Sequence, residues 1–203
     1  PVTPEGNMIR LEWFVRYETA PDRSSFHMVV QSWDTAVTDT PQSDWSVCTT
    51  WGFKGKKWYL LDAYRARLEY PKLKSKVIQL YRQWKPDRVL MEDANSGKSL
   101  YQEFRAQGPF RPIMIPPRGD KVERVNGCLA EIEAGNIMLP REAPWLDIFC
   151  SELRAFPDGR HDDQVDSLSQ FINWQLNNWR MLLEERTSTG RLKRIIRDRK
   201  RPW

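Results

Sequence analysis

His27-Met28-Val29-Val30-Gln31-Ser32-Trp33-Asp34 is a mostly apolar run that ends on an acid, and the small pair Thr35-Ala36 follows it. That composition predicts a buried β-strand over His27 to Trp33 with Asp34 at its polar end. Two more strand-like runs come in close order, Trp45 to Phe53 and Lys57 to Leu61, joined at Lys54-Gly55-Lys56, a hairpin signal. Tyr70 to Trp84 carries Leu73, Val77, Leu80, Tyr81 and Trp84 on one helical face, and Pro86 stops it. Beyond it the pattern alternates. A strand at Val89 to Glu92, a helix from about Lys98 to Gln107, the short run Ile113-Met114-Ile115 and a helix from about Lys121 to Glu133 ended by Gly135 come first. Ile137-Met138-Leu139, a helix from Trp145 to Arg154 and a long helix from Asp162 to about Trp179 complete it. Three sequential strands followed by alternating helices and strands imply an α/β layer fold, a mixed sheet with helices on its faces.

Around that body, residues 1–25 are rich in turn formers and read as a lead-in segment that packs loosely on it. The folded domain is expected over 26–180 and a basic tail over 181–203. The first residue is Pro1, so a domain cut from a longer protein is expected. The chain has 203 residues and a formal net charge of +5, which is unevenly placed. From Arg186 to Trp203 eight basic residues face one acid, Asp198, whereas the remaining 185 residues carry 24 basic and 26 acidic groups. A slightly acidic body suits a carboxylate site. The tail reads equally as a phosphate binder or as a solvated end. Cys48, Cys128 and Cys150 are widely spaced and odd in number, which argues for a reduced, intracellular setting and against structural zinc. No apolar run is long enough to span a bilayer. Trp33, Trp45, Trp51, Trp58, Trp84 and Trp174 fall inside predicted elements and read as core or half-buried packing.

The candidate chemistry lies in three acid clusters, each where an element ends. Asp34 closes the first strand, Glu92 and Asp93 close Arg88-Val89-Leu90-Met91-Glu92-Asp93, and Asp162, Asp163 and Asp166 open the last long helix. Any one of them alone is adequately explained as a turn former or helix cap. Their co-occurrence is not. Asp162 and Asp166 are four apart and Asp163 and Asp166 three apart on a helix whose apolar face, Val165, Leu168, Phe171 and Ile172, must dock on the body. Like charges at those spacings repel unless a cation sits among them, and hard divalent cations favour carboxylate oxygens. His161 precedes the cluster and is by itself as consistent with a surface histidine.

Gly97-Lys98-Ser99 follows a strand and opens a helix, as the end of a phosphate-binding P-loop would. The glycine such a loop needs five residues earlier is Glu92, and Asp93 adds further negative charge. Nucleotide binding is therefore discounted, although Lys98 is placed to meet a nucleic-acid phosphate.

Ser32-Trp33-Asp34-Thr35-Ala36, Met91-Glu92-Asp93-Ala94-Asn95-Ser96-Gly97 and His161-Asp162-Asp163-Gln164-Val165-Asp166-Ser167-Leu168, in that order, resemble the C-terminal nuclease domain of the large terminase subunit of tailed bacteriophages. The resemblance spans roughly Ser25 to Gln175. It implies an RNase H-like fold whose central mixed sheet has its first three strands antiparallel, and two divalent cations, Mg²⁺ or Mn²⁺, held by acids. Asp34 matches the first-strand acid and Glu92 the second. For the third, paired acids after the histidine favour Asp163, and a His-x-x-Asp-Ala pattern would favour Asp166. Gly119-Asp120-Lys121, with Arg124 one turn later, also resembles a family stretch in which a basic side chain would steady DNA or the leaving group.

The activity the resemblance implies is two-metal endonucleolytic cutting of concatemeric viral DNA for packaging into a capsid, in the cytoplasm of an infected or lysogenic host. The implied partners are double-stranded DNA, an upstream ATPase domain, the portal and the small terminase subunit, with no membrane. A junction resolvase or transposase-type nuclease keeps the fold and changes the substrate. A non-catalytic DNA-binding or docking module, in which the acids are surface charge, is the rival of another class.

Overall fold

The computed structural model describes residues 8–36, 44–93 and 95–178. Its strands are β1 (Val15–Tyr17), β2 (Met28–Asp34), β3 (Ser46–Lys54), β4 (Lys57–Ala66), β5 (Arg88–Glu92), β6 (Ile113–Ile115) and β7 (Ile137–Pro140). Its helices are α1 (Tyr70–Trp84), α2 (Asn95–Gln107), α3 (Lys121–Glu133) and α4 (Leu146–Ala155), then α5 over 163–178. All seven strands join one sheet in the order β1-β7-β4-β3-β2-β5-β6.

β2, β3 and β4 form an antiparallel meander, with Asp34 opposite Val47 and Lys54 opposite Lys57. The β3–β4 turn is tight because Gly55 and Lys56 both take positive φ, 58° and 70°, the twist that suits a two-residue hairpin. α1 then crosses to β5, which lies parallel to β2 on its far side. β6 continues outward in parallel. α1 ends as expected at Trp84, where Lys85 turns left-handed (φ 45°) and its N–H bonds the Tyr81 carbonyl before Pro86.

The lead-in departs from expectation. Residues 15–17 form a seventh strand that pairs in parallel with β7, and Ile9, Phe14 and Tyr17 are buried. A three-residue strand shows no alternation that a sequence reader could detect, and the turn formers around it conceal its apolar residues. The antiparallel trio is accordingly β2–β4 and not the first three strands of the chain. The basic tail lies outside the described residues.

Side-chain alternation sorts the two faces of the sheet. Trp33, Cys48, Val89 and Met91 point to one face and pack with Leu73, Val77 and Leu80 of α1 and Leu100 and Phe104 of α2. The opposite face receives α5. Phe171 stacks on Trp51 at 4.5 Å between ring centroids and meets Trp58 edge-on at 4.8 Å. Beside this aromatic contact runs a buried polar seam. Ser32 Oγ donates to the Ser167 carbonyl (2.9 Å), and Ser167 Oγ donates to the Ser32 carbonyl (2.8 Å). Thr49 Oγ1 lies 2.8 Å from Ser167 Oγ, and Gln170 Nε2 donates to Ser32 Oγ at 2.8 Å. A seam of directional bonds fixes the register of α5 on the sheet, which apolar packing alone would leave freer to slide. From Trp174 the chain belongs to a second compact unit, whose described residues 174–178 are helical.

Replacing Ser167 by Ala removes a hydroxyl bonded to both β2 and β3, and is expected to destabilise the protein by about 1–3 kcal/mol, since it leaves buried partners unsatisfied. The same change at exposed Ser75, bonded only to Pro71 of its own helix, should stay within about 0.5 kcal/mol. Urea unfolding midpoints of the two variants check the difference.

Candidate metal-binding acid cluster

Asp34 and Glu92 end adjacent parallel strands, and the pairing of Trp33 with Met91 brings their carboxyl ends out side by side. Because Trp33 and Met91 face α1 and α2, the next residue in each strand faces the α5 side. The small residues that follow stitch the two strand ends together. Ser96 Oγ donates to the Thr35 carbonyl at 2.9 Å and lies 3.1 Å from Thr35 Oγ1. A Cβ on Gly97 would collide with the carbonyl of Glu92, so only glycine lets the first turn of α2 lie this close to the end of β5. That contact accounts for the glycine of the Gly97-Lys98-Ser99 sequence without a bound phosphate.

The polar seam of α5 brings its amino-terminal acids to the same place. Asp166 bonds back to the Asp162 carbonyl (2.8 Å) in the first turn. The Asp34 carboxyl is raised well above the ordinary carboxylate range, first by loss of water around it and then by the charges of Glu92, Asp166 and Asp163. A hydrogen bond to Glu92 reinforces the shift, because only the protonated acid can donate it. Asp163 is buried and is pushed up to about 6 by burial and then by Glu152, with Arg65 opposing. Four acids from two strands and a helix thus share one electrostatic neighbourhood.

The third cluster divides between partners. Lys121 Nζ reaches Asp162 Oδ2 at 2.6 Å and Asp166 Oδ2 at 3.0 Å, and Arg124 Nη2 reaches Asp166 Oδ1 at 2.8 Å. Burial alone would lower the Lys121 ammonium, but its bonds to Asp162 and Asp166 carry it above its usual value. Lys121 and Arg124, expected at DNA, are here engaged with acids. Lys98 is exposed and pairs loosely with Asp93 at 3.4 Å. His161 sets its ring edge-on to Trp45 at 6.3 Å between centroids. Among the described residues, no group of three or more His, Cys, Asp or Glu side chains stands ready to hold a metal ion. The donor chemistry fits a hard divalent cation nonetheless: the charges acting on Asp34 are all carboxylates.

Two supporting groups escaped the sequence reading. Buried Glu152 of α4 accepts from the Gln164 backbone N–H and from Gln164 Nε2 (2.8 Å), securing the first turn of α5, and Arg65 of β4 lies 3.7 Å from it. An acid between the buried Phe149, Cys150 and Leu153 of α4 was the available signal, since a charge on an apolar helix face requires a partner. Arg65 gave none.

The terminase RNaseH-like domain model matches residues 31–174. No curated protein matches. Among solved structures, the chain is similar to the large terminase of a thermophilic bacteriophage, with 14% identity and a TM-score of 0.64 over 83% of this chain and 43% of that one. It therefore spans less than half the length of that protein. It is also similar to the large terminase nuclease of thermophilic phage G20c with bound magnesium, with 16% identity and a TM-score of 0.60 over 79% of this chain and 92% of that one. The G20c nuclease has also been solved with zinc and with cobalt. The nuclease domain of the Thermus phage P74-26 large terminase gives 16% identity and a TM-score of 0.58 over 79% and 90% of the two chains.

A raised carboxyl binds protons more tightly folded than unfolded, so its contribution to stability is present at low pH and is lost as pH rises through its folded value. For Asp163 that window runs from 3.8 to about 6, and Asp34, raised in the same direction, adds to the effect. In chelator, the unfolding midpoint is expected to fall as pH rises through this window. Asp163→Asn should flatten the lower part of the curve; a wild-type-shaped profile in that variant would contradict the geometry.

Proposed function

The chain belongs to the terminase RNaseH-like domain family, and from that membership and its acid cluster we propose that it is a metal-dependent DNA endonuclease, the nuclease domain of a large terminase subunit. The observation that carries the proposal is the meeting of Asp34 and Glu92 at the ends of β2 and β5, electrostatically joined by Asp163 and Asp166 of α5. In open α/β sheets ligands gather outside the carboxyl ends of strands, and these acids occupy that position. Asp163 is buried, and Asp34 and Glu92 are only partly exposed at adjacent strand ends, which disfavours the docking-module alternative with its surface charge.

Asp34 would be the central ligand for the ions, with Glu92 and Asp163 or Asp166 completing the set. At Asp163 the competing positive charge is that of Arg65, whereas Asp166 must be shared with its direct partners Lys121 and Arg124. Two bound divalent cations, Mg²⁺ or Mn²⁺, would supply activation of a water and charge stabilisation at the departing 3′ oxygen. The protein's own contribution is to hold its carboxylates without rearrangement: the seam through Ser32, Thr49, Ser167 and Gln170 fixes α5, and Glu152 secures its first turn. Lys121 and Arg124 keep positive charge beside the acids, where an approaching phosphodiester needs it. The substrate in this reading is concatemeric viral double-stranded DNA in the host cytoplasm. The partners are an ATPase domain of the same protein, the portal and the small terminase subunit.

Asp34→Asn is expected to abolish Mn²⁺-dependent nicking of supercoiled plasmid while leaving the fold intact. In wild-type protein Mn²⁺ at a hundredfold excess over its Kd should stabilise the native state by about 2.7 kcal/mol, a rise in melting temperature that Asp34→Asn should lack. Wild-type nicking by that variant would overturn the proposal.

A further inference from the structure

On the face of the sheet opposite the acids, α2 presents a basic ridge. Lys98, Tyr101 and Arg105 follow one another at i, i+3 and i+7 and so line one side of the helix. Lys98 and Arg105 are exposed and Tyr101 is half-buried. They border an open groove of about 740 Å³ whose lining includes Asp93 and Met114. Asp93 is the residue after Glu92, so the groove begins one residue from the acid cluster.

We infer that this groove is a docking track for the sugar-phosphate backbone of duplex DNA, with Lys98 and Arg105 as phosphate contacts. The inference rests on the nuclease reading and adds to it a surface, reached one residue along the chain from Glu92, that grips the duplex backbone. Charge complementarity favours this occupant. The Lys98–Asp93 pair is long and its lysine is 60% exposed, and a pair of that kind holds a side chain so weakly that a phosphate can take it over. Arg105 donates from Nη1 to the Tyr101 hydroxyl at 3.2 Å, and its guanidinium lies 5.9 Å from that ring's centroid. That contact holds Arg105 in place and leaves other donors of its five-donor fork for a phosphate.

Lys98 and Arg105 are seven residues apart, roughly 10 Å along the helix axis, close to the rise of three base pairs at about 3.4 Å each. Duplex and not single-stranded DNA fits the ridge, because its one aromatic ring, Tyr101, is half-buried and tied through its hydroxyl to Arg105, and a single ring is no stacking platform for successive bases. Lys121 and Arg124, beside the acids, are each engaged with carboxylates at 3.0 Å or less, and Arg65 lies 3.7 Å from Glu152. That leaves α2 as the side from which the backbone can be gripped without disturbing the acids.

The test is binding of a fluorescent duplex oligonucleotide in chelator, followed by anisotropy across a salt series, for wild type and the double variant Lys98→Gln, Arg105→Gln. Each phosphate contact contributes about 0.9 to the slope of log K against log salt, so the double variant should bind more weakly with a slope shallower by nearly 2. Restoration by Lys98→Arg with Arg105→Lys would support charge as the cause. An unchanged slope in a double variant with a wild-type melting temperature would overturn the track. Asp34→Asn separates the two proposals. Cleavage lost there with the Lys98/Arg105 slope unchanged leaves the nuclease and removes the track; cleavage retained there with the slope reduced does the reverse.

Discussion

Carboxylates crowded at the middle of a sheet repel one another, and the rest of the molecule is arranged around that repulsion. Asp34 loses its water and faces the charges of Glu92, Asp166 and Asp163 together, and each of these disfavours its charged form. A sequence optimised for stability alone would place apolar residues at these strand ends. Persistence of the acids requires that surrounding contacts over-determine the backbone that carries them. The seam between β2, β3 and α5 does so, because each of its bonds is buried and directional. The Ser96 contacts with Thr35 and the close approach of Gly97 to Glu92 hold the strand ends together from the other side.

Much of this was legible because local periodicity carries it. The bounds of α1 and α3 fall where apolar spacing, Pro86 and Gly135 place them. Within β2 and β5, alternation decides which face each acid takes once Trp33 and Met91 are assigned to the core. Which strands lie side by side is not local information. Asp34 and Glu92 come together because the crossover through α1 returns β5 to the outer side of β2 and not to that of β4, a choice set by sheet twist and crossover handedness. Nothing within either motif encodes it; the order of the motifs along the chain, through the family resemblance, did.

The ionic partners of the cluster were still less accessible. Lys121 and Arg124 stand out in sequence as basic residues near a turn, and their positions suggested DNA. Their engagement with Asp162 and Asp166 depends on α3 lying along α5, which is held in part by Asn173 Nδ2 donating to the Arg124 carbonyl at 2.9 Å. Gly127 allows the same approach, since a Cβ there would stand 2.8 Å from Asn173 Oδ1. A glycine inside a predicted helix therefore marked a helix–helix contact, where sequence alone offered only a propensity penalty.

Those two cations resolve a conflict that the acids create. Without them, Asp166 would add a full uncompensated charge to a neighbourhood in which Asp34 is already pushed toward protonation. By occupying both Asp166 oxygens, Lys121 and Arg124 leave the net charge of the cluster closer to neutral, and the folded state tolerates it. The same arrangement sets a hierarchy among ligands. On the proposed reading, a cation held by Asp34 and Glu92 would gain Asp166 only in competition with two direct basic partners, whereas at Asp163 the opposing positive charge is that of Arg65. Asp34, raised toward its protonated form, would also have to lose its proton, so binding on that reading would release protons and strengthen as pH rises. The stability that the raised Asp34 and Asp163 contribute to the metal-free fold moves the opposite way with pH, the opposition expected of acids placed for a ligand and not for the fold.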